Sequence, residues 1–178
     1  MGPLQIAERI KEMFPDDVLG YTGFCGQVTV SVKKDNIVSI CRYLHDDAEM
    51  GFDYPASLCG VDYQGREPRF EVVYNLYSIT HRHRIVLKAG VPESDPAIDT
   101  VTGIWTGVNW HERETFDMYG IKFNGHPDMR RILMPEDWEG HPLRKDYPVT
   151  GPAREWHGYE EVRDRKRKYA EFEWKPLK

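Results

Sequence analysis

Between Gly120 and Pro148 the sequence forbids any long regular element. Pro127, Pro135, Pro142 and Pro148 recur there together with Gly125 and Gly140, and each proline lacks the N–H that a helix interior or a central strand needs. An irregular stretch of roughly thirty residues or more is uncommon in a compact domain and needs a surface to lie on. The chain therefore reads as a core domain over residues 1–120 and an extended arm over residues 121–178 that docks on partners. In the isolated chain such an arm is expected to be mobile and open to proteolysis from about residue 120.

The core carries the periodicities of an α+β domain. Leu4, Ile6, Ala7, Ile10 and Phe14 form a helical stripe that Pro15 ends, and Val28, Val30 and Val32 alternate as a half-buried strand. After a turn at residues 33–36, Ile37, Ile40, Cys41 and Leu44 recur at helical spacing, with Asp35 or Asn36 as the expected N-cap. Extended segments follow at 57–63, 70–79 and 82–89, then a strand or loop at 97–105 and a helix from Asn109 to Tyr119 stopped by Gly120. The result expected is a mostly antiparallel sheet with packed helices. A further helix near 159–172 is marked by Tyr159, Val162, Tyr169 and Phe172.

Composition excludes several classes. No run approaches the roughly 20 apolar residues of a membrane span, and the N-terminus has neither a signal-peptide nor a transit-peptide character. Residues 151–178 carry eight basic and six acidic side chains in a chain of net charge -5, too weak a footprint for nucleic acid. Cys25, Cys41 and Cys59 lack the close pairs of a cluster site and read as buried small residues.

Chemistry is equally hard to find. Neither a dinucleotide nor a phosphate-binding glycine pattern is present, and no serine has a nucleophile context. His81 and His83 would project from one strand face, but Arg82 and Arg84 flank them and two ligands alone make a weak metal site. Glu112 and Glu114 lie about 200° apart around a helix, so they cannot flank one scissile bond. Val108, Glu112, Phe116 and Tyr119 instead share a stripe. That spacing places one carboxylate among apolar residues, where it needs a partner and fits burial at an interface, while Arg113 and Asp117 are spaced to pair.

These residues resemble a known family. Glu112, Arg113, Glu114, Asp117, Met118, Tyr119, His126, Arg130, Ile132 and Leu133 match in order and spacing the thirty-kilodalton family, also called the C subunits, of NADH-quinone oxidoreductase, respiratory complex I. The run from Met134 to Pro148 continues the resemblance, with Pro135, Asp137, Trp138, Arg144, Lys145, Asp146 and Tyr147 as signature and interface positions. Residues 1–105 are similar in element order alone, and the tail after Pro148 has no distinctive family motif. The resemblance implies a cofactor-free member of the peripheral arm, on the cytoplasmic side of the membrane, with a separate D subunit as main partner and the B and I subunits close by. FMN, Fe-S clusters and quinone would belong to the assembled complex, which passes electrons from NADH to quinone coupled to proton translocation. The alternative is the homologous subunit of a membrane-bound hydrogenase or formate hydrogenlyase.

Overall fold

The computed structural model describes residues 1–151 and 158; the helix expected near 159–172 lies outside the described residues. Helix α1 (Pro3–Met13) opens on a proline, whose missing N–H is not needed in a first turn, and the Gln5 side chain accepts the Gly2 N–H at 2.9 Å. It buries Ile6, Ala7 and Ile10. Strands β1 (Val18–Phe24) and β2 (Gln27–Lys33) form a hairpin. Its two turn residues, Cys25 and Gly26, both have positive φ, +48° and +75°, the backbone twist that tight hairpins favour.

Helix α2 (Ile37–Asp46) buries the expected Ile37, Ile40, Cys41 and Leu44. Its cap differs from expectation: neither Asp35 nor Asn36 caps with its side chain, and the Asn36 amide instead donates to Asp17 at 2.6 Å. Strands β3 (Tyr54–Asp62), β4 (Phe70–Tyr77) and β5 (Arg84–Val91) complete a five-stranded sheet of order β1-β2-β5-β4-β3. β2 and β5 run parallel and the other neighbours antiparallel, so the mostly antiparallel α+β architecture holds.

The segment that matters for function follows. β6 (Ala97–Asp99) pairs in parallel with β7 (Lys122–Asn124), and helix α3 (Val108–Tyr119) runs between them. α3 lies against β3, where Gly60 makes room: a Cβ there would stand 2.7 Å from Tyr119 Cδ2. β1 and β7 have no counterpart in the sequence reading. β1 is interrupted by Gly20 and Gly23, and β7 is three residues long, so neither carries a usable period.

One core joins the helices to the sheet, with Phe52, Phe70, Leu76, Ile85 and Leu87 all at most 2% exposed. Each such side chain is worth about 1.5–3 kcal/mol in burial. Of the cysteines, Cys41 is buried as expected, whereas Cys25 and Cys59 are exposed, one at a hairpin turn and one on an edge strand. His81 and His83 precede β5, and their rings stack at 5.4 Å between centroids. Each Nε2 meets a carbonyl, His81 that of Ala48 and His83 that of Met50. They tie the β4–β5 turn to the loop after α2. Among the described residues no helix is long and apolar enough to cross a membrane.

Candidate docking interface

The last turn of helix α3 holds the described residues of the arm in place. Gly120 ends it in the left-handed region at φ +75° and returns its N–H to the Phe116 carbonyl. The next carbonyls of the last turn would be orphaned, and the arm satisfies them. His141 Nδ1 donates to the Asp117 carbonyl at 2.9 Å, the Leu143 N–H to that of Met118 at 3.1 Å, and Arg144 Nε to that of Tyr119 at 2.6 Å. A Cβ on Gly120 would stand 2.6 Å from both His141 and Arg144, so the arm seats itself on a bare glycine.

The Asp117 side chain is fully buried. Its Oδ2 accepts the consecutive N–H groups of Ile132, Leu133 and Met134 at 3.0, 2.8 and 2.8 Å, and its Oδ1 lies 2.6 Å from Arg131 Nη1. Burial pushes this carboxyl up, but the N–H groups of Met134 and Leu133, the Arg131 guanidinium and the Ile132 N–H outweigh it and hold it below the usual range. Arg131 also donates to the carbonyls of Trp138 and Gly140, folding the arm back on itself. The expected pair of Arg113 with Asp117 does not form. Arg113 stacks on exposed Trp110 at 5.2 Å and donates to the carbonyls of Arg130 and Arg131, while Asp117 is taken up by Arg131 and the N–H groups of residues 132–134.

A second anchor lies at the end of the sheet. Arg69, 6% exposed, donates to both oxygens of the fully buried Asp62 at 2.9 Å, to Glu93 at 2.5 Å and to Asp146 at 2.8 Å. Asp62 also accepts the Lys145 N–H at 2.8 Å. Arg69 holds the carboxyls of Asp62 and Asp146 below the usual range. Arg69 and Arg144 both lie over the Phe70 ring, at 5.0 and 5.1 Å.

Glu112 behaves differently from the other charges. It is buried inside the domain itself, needing no partner chain to cover it. Its oxygens accept the Val101 N–H at 2.9 Å and the Thr100 hydroxyl at 2.5 Å, and burial pushes its carboxyl up to about 7. Glu114 is exposed, and Tyr119 is half-buried against Gly60. His126 is buried at its ring, while Arg130 is exposed and paired with Asp128 at 2.7 Å. Pro135 and Trp138 are half-buried, Asp137 is exposed, and the Tyr147 hydroxyl donates to the Glu139 carbonyl at 3.1 Å.

The sequence reading missed Asp62, Arg69 and Arg131, which do most of the anchoring. For Asp62 and Arg69 the one local signal was charge at the ends of apolar strands, which ordinarily means solvated termini. Among the described residues no three His, Cys, Asp or Glu side chains are grouped to hold a metal ion.

Comparisons with known proteins place the chain in a family. The family described as the 30 Kd subunit of respiratory-chain NADH dehydrogenase matches residues 30–153. The C subunit of the NADH-quinone oxidoreductase from a Roseiflexus species (strain RS-1) is 57% identical over 144 residues, covering 81% of this chain and 83% of the relative. Its counterpart from Geobacter sulfurreducens is 51% identical over 148 residues, covering 83% and 90%. Among solved structures, a trypsin-resistant fragment of Nqo5 superposes with a TM-score of 0.58 at 31% identity, covering 70% of this chain and 97% of the fragment. A chain of an archaeal membrane-bound sulfane sulfur reductase shares the fold, with a TM-score of 0.70 at 21% identity over 98% of this chain and 95% of that one. The chain belongs to the 30 kDa family, the C subunits of the respiratory NADH-quinone oxidoreductases.

Proposed function

We propose that this chain is a cofactor-free structural and assembly subunit in the peripheral arm of an NADH-quinone oxidoreductase. It sits on the cytoplasmic side of the membrane, with the D subunit as its main partner and the B and I subunits nearby. FMN, the Fe-S clusters and quinone are held by the other chains, and the electron transfer from NADH to quinone is theirs. The residues through β7, which brings Ile121 and Phe123 into the core, serve as the core, and the chain beyond it serves as the docking arm.

The observation that carries this reading is the two-sidedness of the arm. Backbone N–H groups of the arm donate inward to Asp117, to Asp62 and to the Met118 carbonyl in the last turn of α3, while Leu133 and Leu143 remain 61% and 50% exposed. Irregular backbone held this firmly, with apolar side chains turned out, is a preorganised surface for another protein. Among the signature residues Asp117, Arg144 and Asp146 build that surface from beneath, and Glu114, Arg130 and Asp137 contribute to its exposed side.

The test is assembly. Arg113→Ala, or Leu133→Asp with Leu143→Asp, lowers the abundance of the purified complex, while complex that does assemble keeps near-normal turnover. A fully assembled complex with abolished turnover overturns the structural role. Mass spectrometry of the native complex identifies the partners: a quinone-site D subunit with NADH-oxidising subunits supports the reading, and a nickel-ligating large subunit assigns the chain to a hydrogenase.

A further inference from the structure

Apart from the arm, α3 carries a polar group that docking does not use. Glu112 is 0% exposed, and among the described residues no lysine or arginine forms an ion pair with it. His126 Nε2 lies 3.9 Å from Glu112 Oε2, and its ring is equally buried. His126 is held neutral by its own bonds: Nδ1 accepts the Asp128 N–H at 3.0 Å, and Nε2 faces the Asn109 carbonyl at 3.4 Å. A second proton on Nδ1 would break the first of these. His126 therefore does not compensate a charge on Glu112.

The hydroxyls beside Glu112 accommodate either protonation state. Thr100 Oγ1 lies 2.5 Å from Glu112 Oε2 and 2.9 Å from Thr102 Oγ1, and either threonine can be the donor. With Glu112 protonated, its O–H donates to Thr100 and Thr100 donates to Thr102. With Glu112 ionised, Thr100 turns and donates to the carboxylate. The other titratable groups around the site are Cys41 from α2 and Tyr74 from β4 near Glu112, Asp99 from β6 near Tyr74, Arg113 of α3 and Asp128 near His126, and Arg42 of α2 beside Thr100 and Thr102. Tyr74 is 1% exposed and its hydroxyl has no hydrogen-bond partner among the described residues, so a polar atom already faces this region unsatisfied. Arg42 of α2 lines the cavity beside Thr100 and Thr102, but among the described residues neither it nor any other arginine or lysine forms an ion pair with Glu112.

We propose that Glu112 is a proton-holding latch inside the core: while protonated it fastens α3 to the 100–102 segment, and on losing its proton it loosens that attachment. The ionised carboxylate is a buried charge without a counter-ion, and its release lies in admitting water between α3 and the 100–102 segment. Burial raises the carboxyl to about 7, so the change falls near neutrality. The inference is independent of which complex the chain joins.

Carbon-13 NMR of glutamate-labelled protein tests it on the whole chain. One glutamate carboxyl is expected to titrate about two units above the others, and it is lost in Glu112→Gln. Hydrogen exchange adds a second readout. After correction for intrinsic rates, protection of the Val101 amide falls about tenfold between about pH 6 and about pH 8 in the parent and stays level in Glu112→Gln. Thr100→Val removes the donor that the ionised form needs and moves the titration further up. All glutamates titrating in the ordinary range, or Val101 protection independent of pH in the parent, overturns the proposal. Both of these measurements need only the parent chain, so a variant that fails to fold leaves the test intact.

Discussion

Asp117 Oδ1 and Arg131 Nη1 stand 2.6 Å apart with the carboxylate fully buried, and this pair, formed between a helix and the irregular chain beyond it, decides where the arm lies. The same carboxylate also gathers three successive N–H groups. Removing it leaves a guanidinium and three amides short of an acceptor. Asp117→Ala is expected to cost about 3 kcal/mol, seen as a fall of about 6–12 °C in melting temperature for a chain of this size. Arg113→Ala, whose donors reach only partly exposed carbonyls, is expected to cost under about 1 kcal/mol in the same melt.

The anchors alter what proteolysis of the isolated chain should show. Prolines and glycines alone predict a susceptible arm from about residue 120, but Arg131 and Arg144 are each tied to α3 carbonyls or carboxylates. Limited trypsin digestion is expected to leave the bonds after Arg131 and Arg144 intact. In Arg69→Ala, which frees Asp146 and strands buried Asp62, cleavage after Arg144 and Lys145 is expected to accelerate at least about tenfold. Mass spectrometry of the fragments reads the outcome.

Acid should release the arm. Asp62, Asp117 and Asp146 are all held below the ordinary aspartate value of 3.8 in the folded chain. A carboxyl depressed in this way contributes stability that is fully present above its unfolded value and lost as pH falls through its folded one. The amide resonances of Ile132, Leu133 and Met134 are therefore expected to hold steady above about pH 4 and to move together below it. Movement near neutral pH would contradict this account.

Gly60 tests the seating of α3. A methyl there would meet Tyr119 at 2.7 Å and Thr115 at 3.1 Å, and the backbone conformation is ordinary strand. Gly60→Ala is thus a steric probe, expected to cost about 1–3 kcal/mol in a denaturant melt. Gly65→Ala, with open space around it but φ +83°, should cost less, about 1 kcal/mol, from backbone strain alone.

Much of this protein was legible in its residues. The stripes Ile6-Ala7-Ile10 and Ile37-Ile40-Cys41-Leu44, the alternation Val28-Val30-Val32 and the stop at Gly120 each state a local structure, because period and backbone freedom are properties of neighbouring residues. The motif from Glu112 to Tyr147 was legible as a family signature for the same reason: it is contiguous. What only the tertiary structure decided was which charge meets which. Asp117 lies four residues from Arg113 and fourteen from Arg131, yet pairs with the latter. Asp62 and Asp146, 84 positions apart in number, share Arg69. Glu112, read as an interface charge, is covered by its own domain. Ion pairs and burial depend on how distant segments are brought together, and that is set by sheet register and by the course of the arm, which no local period encodes.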